Sequence, residues 1–357
     1  ETVSTPTLAP YELFHALWAE GGQRQFALSL FPRGSESVPA YWKGLERSTW
    51  GRNHTVNSTQ ALRSRRHLVV PTVWHSDGAE IFSGTEFHIF SWSSALSFNG
   101  NVIDEKMLLL VLEESLISDC TFSEIVQYIS WNDEVMRSGV HPACDHLGEP
   151  FAPNSARARM AGTPLAGESV EESWRCSYVA TLADLKEKVE VNKLKQNYQC
   201  NYLCEWCWGC RHLPFCNAYD FRMCAAWRSN LIDHNGYLAM TRPDARSPWS
   251  LLNDWTTHRN KLDLLHAVWL GYGKDIAGSA LLSIAETCYL GLGLEAALEQ
   301  LWLELRQRCR ARRIFCGVPK FCKNAICWSS STDYPTLSSR VKGSNTKIVC
   351  KFLAEKV

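Results

Sequence analysis

The stretch VVPTVWHSDGAEIFSGTEF, residues 69–87, decides how this chain folds. Its first half, Val69 to Trp74, is β-branched and apolar, which predicts a buried strand. The apolar run stops at His75-Ser76-Asp77-Gly78. Asp before Gly is ordinary turn composition, but an acid that ends a strand is also displayed at a sheet edge, where it is available for chemistry. The segments that follow weigh on the choice.

Downstream, EFHIFSW (86–92) alternates and is aromatic, so it reads as a second strand; Asn99-Gly100 is a turn signal, and MLLLVL (107–112) reads as a third strand. TFSEIVQYISWNDEVMRSG (121–139) predicts a helix. Thr121 and Glu124 have capping-box spacing, Ile125, Ile129 and Met136 repeat on one face, and Gly139 supplies the stop. SYVATLADL (177–185) reads as a fourth strand ending on Asp184. Strand, strand, strand, helix, strand is the order of an RNase H-like α/β fold: a mixed sheet of three antiparallel strands, a helix, and a fourth strand parallel to the first. The residues that end strands one and four are then neighbours, here Asp77 and Asp184. Paired carboxylates at that place suit Mg²⁺ or Mn²⁺, because hard cations prefer oxygen ligands, and two such ions can serve phosphodiester cleavage. Taken singly, either Asp is more simply a turn former or a helix N-cap; the joint placement favours a site.

Five segments are expected: a helical part over 1–66, a core over 67–199 with a loop insertion at 140–172, a Cys-rich insert over 200–258, a helical region over 259–313 and a basic segment over 314–357. In the first, Leu13, Leu17 and Trp18 stand at helical spacing; in the fourth, Leu294, Leu298, Leu301 and Leu305 mark a long amphipathic helix. The insert contains CNYLCEWCWGCRHLPFC (200–216). Cys204 and Cys207 have the two-residue gap that lets both sulfurs reach one tetrahedral ion. A structural Zn²⁺ is expected on Cys204, Cys207 and His234, with Cys200 or Cys210 as the fourth ligand; free buried thiols are the alternative.

Hydrophobic residues make up 45% of the 357 and charged ones 21%, which fits a globular chain rather than a disordered one. Thirty-seven basic and thirty-seven acidic residues cancel, so net charge names no partner. From Arg306 to Lys351, however, eleven basic residues meet one acid, Asp333. Arg306, Arg310, Arg312, Arg313, Lys320 and Lys323 are candidate phosphate contacts in that block, and a solvated helix face is the competing account. The apolar stretch IAGSALLSIA (276–285) is shorter than the roughly 18 residues a membrane span needs. Without a secretory signal, fifteen cysteines read as reduced thiols or metal ligands, the glycosylation patterns at Asn53 and Asn57 read as chance, and a nuclear or cytoplasmic, unsecreted protein is expected. A chain that starts on Glu1 reads as a fragment or processed product.

Taken in order, three features resemble the CACTA (En/Spm-type) DNA transposases. WHSDGAEIFSGTEFHIFSWSSAL (74–96) resembles their first catalytic segment, and YVATLADLKEKVEV (178–191) is similar in placement to the second acidic strand, followed by a Cys-x-x-Cys cluster. KLDLLHAVWLGYGKDIAGSALL (261–282) looks like their Asp-x-x-His helix, here Asp263 and His266. The resemblance implies a DDE-type core that cuts and joins DNA, acting on transposon ends and target DNA, with the possibility of a homo-oligomer. It also implies a third acid, a Glu on a later helix. Glu286, Glu304 and Glu355 are open choices, as is an acid beyond Val357. His266 would touch phosphate or brace the acidic site, or else be satisfied within helix packing. The alternative to an enzyme is a decayed or domesticated relative that keeps the zinc-stabilised fold and only binds DNA or protein.

Overall fold

The computed structural model describes residues 5–82, 84–97, 106–191, 193, 200–212, 214, 216–262 and 265–356. The Asn99-Gly100 turn signal and Asp263 lie outside them. The chain divides into two compact units, Glu1–Lys261 and Leu262–Val357.

The first unit opens with helices α1 (Pro10–Ala19), α2 (Gly22–Leu30) and α3 (Ser37–Leu45), then short helical turns to Arg63. A mixed five-stranded sheet follows: β1 (Val69–Phe82), β2 (Thr85–Ser94), β3 (Met107–Glu113), β4 (Arg175–Ala183) and β5 (Asn260–Leu262). The strand order is β3-β2-β1-β4-β5. β1 pairs antiparallel with β2, β2 antiparallel with β3, and β1 parallel with β4. Val69–Trp74 and Arg175–Thr181 are buried at every position, as expected of adjacent central strands covered on both faces. Helix α4 (Thr121–Ser138) packs on β4. The Trp74 indole points to Asp133 of α4 at 3.5 Å, and the Trp42 indole of α3 donates to the Val69 carbonyl at 2.6 Å. Asp133 is wholly buried, and desolvation pushes its carboxyl up to about 7.

Three details depart from the sequence expectations. β1 does not end at Asp77. It runs on to Phe82, with Asp77 opposite Ile89 and Gly78 opposite His88 in the hairpin with β2. The capping box does not form, because Thr121 is already helical and its hydroxyl accepts the Ser118 N–H at 2.9 Å. The expected loop over 140–172 holds a short helix, Ala156–Met160. The stop at Gly139 is as read, with a left-handed φ of 73°. Asn57 is buried, its amide donating to the Gly51 and Trp42 carbonyls at 2.8 and 3.2 Å, so it offers no accessible glycosylation nitrogen.

Residues 200–258 are held by isolated bridges such as Cys207 with Leu231, and by helix α6 (His234–Met240). Ile232, Tyr237, Trp249, Leu252 and Trp255 join the main core, so this segment packs as part of the first unit. The second unit is helical: a widened π-type stretch Leu265–Tyr272, α7 (Gly273–Cys288), α8 (Leu294–Ala311) and α9 (Gly343–Leu353). Leu298, Leu301 and Leu305 are buried there with Leu281, Phe321 and Phe352.

Gly278 sits mid-helix in α7, where a Cβ would stand 2.7 Å from the backbone of Thr336. In an open helix, Gly→Ala stabilises by about 1 kcal/mol. Here the backbone contact should reverse the sign, so urea unfolding of Gly278→Ala is expected to give a lower midpoint than the wild type.

Candidate metal centre

The parallel ladder between β1 and β4 positions the acids. Pairing runs from Val69 opposite Arg175 to Thr72 opposite Tyr178, then shifts at a bulge so that Val73 faces Ala180 and His75 faces Leu182. Val179 is the extra residue. It moves the register by one, so that two steps beyond the last pair Asp77 comes level with Asp184 rather than with Ala183. Carboxylate oxygens of the two acids lie within 4.8 Å of each other, and both side chains are half-buried. Two oxygens bound to one Mg²⁺ at about 2.1 Å stand at most roughly 4 Å apart, so a small side-chain adjustment accommodates one ion. The donor set, two hard oxygens open to solvent, fits Mg²⁺ or Mn²⁺ and not a soft-metal site.

Asp184 has a second task. It is the N-cap of helix α5 (Leu185–Glu190), its Oδ1 accepting the Glu187 N–H at 2.7 Å. The strand therefore ends one residue earlier than expected, at Ala183, and the helix N-cap reading of Asp184 holds. Helix α5 is stapled to the hairpin by two pairs that the sequence did not signal. Lys186 pairs with Glu86 on the surface. Glu187 meets His88 at 3.1 Å, with each side chain 2% exposed. Glu187 holds the His88 imidazolium above its ordinary pKa, while burial pushes the Glu187 carboxyl up against the pull of His88. The next residue, Lys188, is buried against Glu205 at 2.6 Å.

In the Cys-rich segment, Cys204 and Cys207 lie close enough for each thiol to perturb the other. The Cys204 Sγ accepts the Trp206 N–H at 3.3 Å. Interaction with Cys204, aided by the Gly209 N–H, lowers Cys207 to about 6, while Cys204 is raised. A thiolate-prone sulfur beside a second thiol is half of a zinc knuckle. Among the described residues, however, Cys200, Cys210 and His234 do not close with them into a group of three ligands within 4.8 Å. His234 instead stands edge-on to Trp255, ring centroids 6.0 Å apart.

In the second unit, His266 lies half-buried on the stretch Leu265–Tyr272. Glu286 is exposed on α7. Glu304 accepts from Tyr289 at 2.9 Å and from Gln300 at 3.1 Å, and pairs with Lys356. Glu355 clamps Arg308 and Arg312. Of the basic block, Lys320 pairs with Glu299 at 2.6 Å, Arg306 lies over Trp302 and Lys323 over Trp328. Arg310 and Arg313 are exposed. Among the described residues, no helix is long and apolar enough to cross a membrane. Comparison of the chain with protein-family models, with curated proteins and with solved structures finds no match.

His88→Ala would leave Glu187 buried opposite no partner, at an expected cost of about 3–5 kcal/mol at pH 7. Because burial raises the pKa of Glu187, that cost should shrink as pH falls and the carboxyl takes up a proton. In the wild type, the contribution from His88 is full below its unfolded pKa of about 6.5 and fades as pH rises through the higher folded value. Urea midpoints from pH 5 to 8 test both signs. A variant as stable as the wild type at pH 7 would show that the pair carries no weight.

Proposed function

We propose that this chain carries an RNase H-like catalytic core of the DDE transposase type, which cuts and joins DNA phosphodiesters using Mg²⁺ or Mn²⁺. The observation that carries this reading is the juxtaposition of Asp77 and Asp184 beyond the last pair of the parallel β1–β4 ladder. The strand directions, with three antiparallel strands and a fourth parallel to the first, support the fold assignment. Asp77 and Asp184 would hold the cation, and the hydrogen bond from the Glu187 N–H keeps the Asp184 carboxylate turned in one orientation. When bound, a divalent cation would acidify a coordinated water and draw charge from the scissile phosphate. Exposed cations such as Arg310 and Arg313 would meet DNA phosphates without reading sequence.

The test is nicking of supercoiled plasmid with Mg²⁺ or Mn²⁺. Asp77→Asn and Asp184→Asn should each lower the rate at least about a hundredfold, as expected when several kcal/mol of charge stabilisation is lost. Asn still caps a helix, so Asp184→Asn separates loss of the metal from loss of α5. Equal nicking by wild type and Asp77→Asn would overturn the assignment.

A second reading, a catalytically inactive relative that binds DNA or protein, is favoured by one observation. Two of the three later acids, Glu304 and Glu355, are engaged in ion pairs within their own unit. It predicts DNA binding with no metal-dependent nicking by any variant.

The adjacent thiols Cys204 and Cys207 support a structural Zn²⁺, completed by His234 and by Cys200 or Cys210 after a local rearrangement. Elemental analysis of purified protein is expected to find about one zinc per chain, lost in Cys204→Ser. Substoichiometric zinc, equal in both proteins, would refute it.

A further inference from the structure

Away from the acid pair, the first unit contains a cavity of about 750 Å³. That lies within the roughly 300–1,000 Å³ typical of small-ligand sites. Trp50, Trp206 and Trp255 share its wall with Arg259 and Lys261.

The indole N–H groups are already engaged. Trp50 donates to the Asp254 carbonyl at 2.8 Å, Trp206 to the Thr257 carbonyl at 3.1 Å, and Trp255 to Asn260 Oδ1 at 3.3 Å. An indole has one donor, so the part-exposed rings of Trp50 and Trp206 offer π surface rather than hydrogen bonds, with the buried Trp255 behind them. The cations are less well served. The Arg259 guanidinium lies 3.8 Å over the Trp50 ring, and its Nε is buried with no partner. Lys261 donates to the His258 carbonyl at 2.6 Å. Burial, then Arg259 and Lys188, hold its ammonium down to about 8. The two carboxylates of the wall are committed elsewhere: Asp254 accepts from Thr55 N and Oγ1 at 3.0 and 2.6 Å, and Asp233 caps the Gly236 N–H at 2.7 Å.

Fixed aromatic faces beside cations short of an anion are the composition of sequence-tolerant nucleotide sites, in which a base stacks and a phosphate meets the cations. The cavity is also tied to the acid-bearing end of the sheet. Lys188, one turn beyond the N-cap Asp184, lies 5.3 Å over the Trp206 ring.

We propose that this cavity takes one unstacked nucleoside phosphate, its base against the indoles and its phosphate at Arg259 and Lys261. The inference rests on the DNA reading for the strand that would deliver it, and not on cleavage.

The test is fluorescence anisotropy of a labelled single-stranded dodecanucleotide with the full chain in buffer without added Mg²⁺ or Mn²⁺, which leaves out any contribution from a metal at the acid pair and does not strip Zn²⁺ from the cysteines. Single strand should bind more tightly than the matching duplex. Trp206→Leu should weaken binding about tenfold or more, with Trp206→Phe restoring part of it. Lys261→Gln should weaken binding and lower the salt slope by about one. Competition by millimolar dAMP, with no preference for the strand, would uphold the chemistry and assign the source to free nucleotide. Unchanged affinity in both Trp206→Leu and Lys261→Gln, with folding verified by circular dichroism, would overturn the proposal. Plasmid nicking run in parallel keeps the two readings apart. Nicking that persists while the variants bind normally sinks only the pocket, and variant-sensitive binding without nicking sinks only the nuclease.

Discussion

The site depends on one irregularity in one ladder. Parallel pairing of β1 with β4 would, in perfect register, set Asp77 beside Ala183. The bulge at Thr72/Val73 gives β4 one extra residue, Val179, and so brings Asp184 level with Asp77. Side chains alternate along a strand, so a slip of one would also have turned the second acid to the opposite face. The closeness of the carboxylates is a property of long-range register, and neither acid achieves it locally.

Two carboxylates within 4.8 Å repel, and the surrounding structure offsets this. Asp184 lies at the start of α5, where helix N–H groups favour negative charge. The helix is itself fastened on both flanks, by Glu86 to Lys186 outside and by His88 to Glu187 within. His88 faces Gly78, the neighbour of Asp77, across the hairpin, so the strand carrying one acid is tied to the helix capped by the other. A bound cation would lower that repulsion further, which is the physical content of the proposed metal site.

β2, β3 and α4 were legible to within a few residues because their signals are local: alternation, an apolar run, a helical stripe with a glycine stop. The end of β1 was misread for the same reason. His75-Ser76-Asp77-Gly78 has turn composition, yet Ala79, Glu80 and Phe82 find partners in Phe87, Glu86 and Thr85, and that ladder outweighs local preference. The bulge was invisible, since it exists only relative to a strand a hundred residues away. β5, with only Asn260, Lys261 and Leu262, is too short to show a period. His88 falls in the alternating run EFHIFSW, and Glu187 carries no signal of its own; only their burial together reveals the pair.

The Cys-rich segment shows how the features of the first unit are coupled. The sequence suggests a Cys-rich, zinc-stabilised insert, and its Ile232, Tyr237, Trp249, Leu252 and Trp255 are buried in the same core as β1 and β4. Trp206 stands between Cys204 and Cys207 in sequence, donates its main-chain N–H to the Cys204 sulfur and turns its ring into the cavity wall. The same ring lies under Lys188, on the helix that Asp184 caps. An ion held by those sulfurs would therefore fix the backbone that aims Trp206. A zinc site here would act on ligand recognition through one aromatic plane as well as on stability.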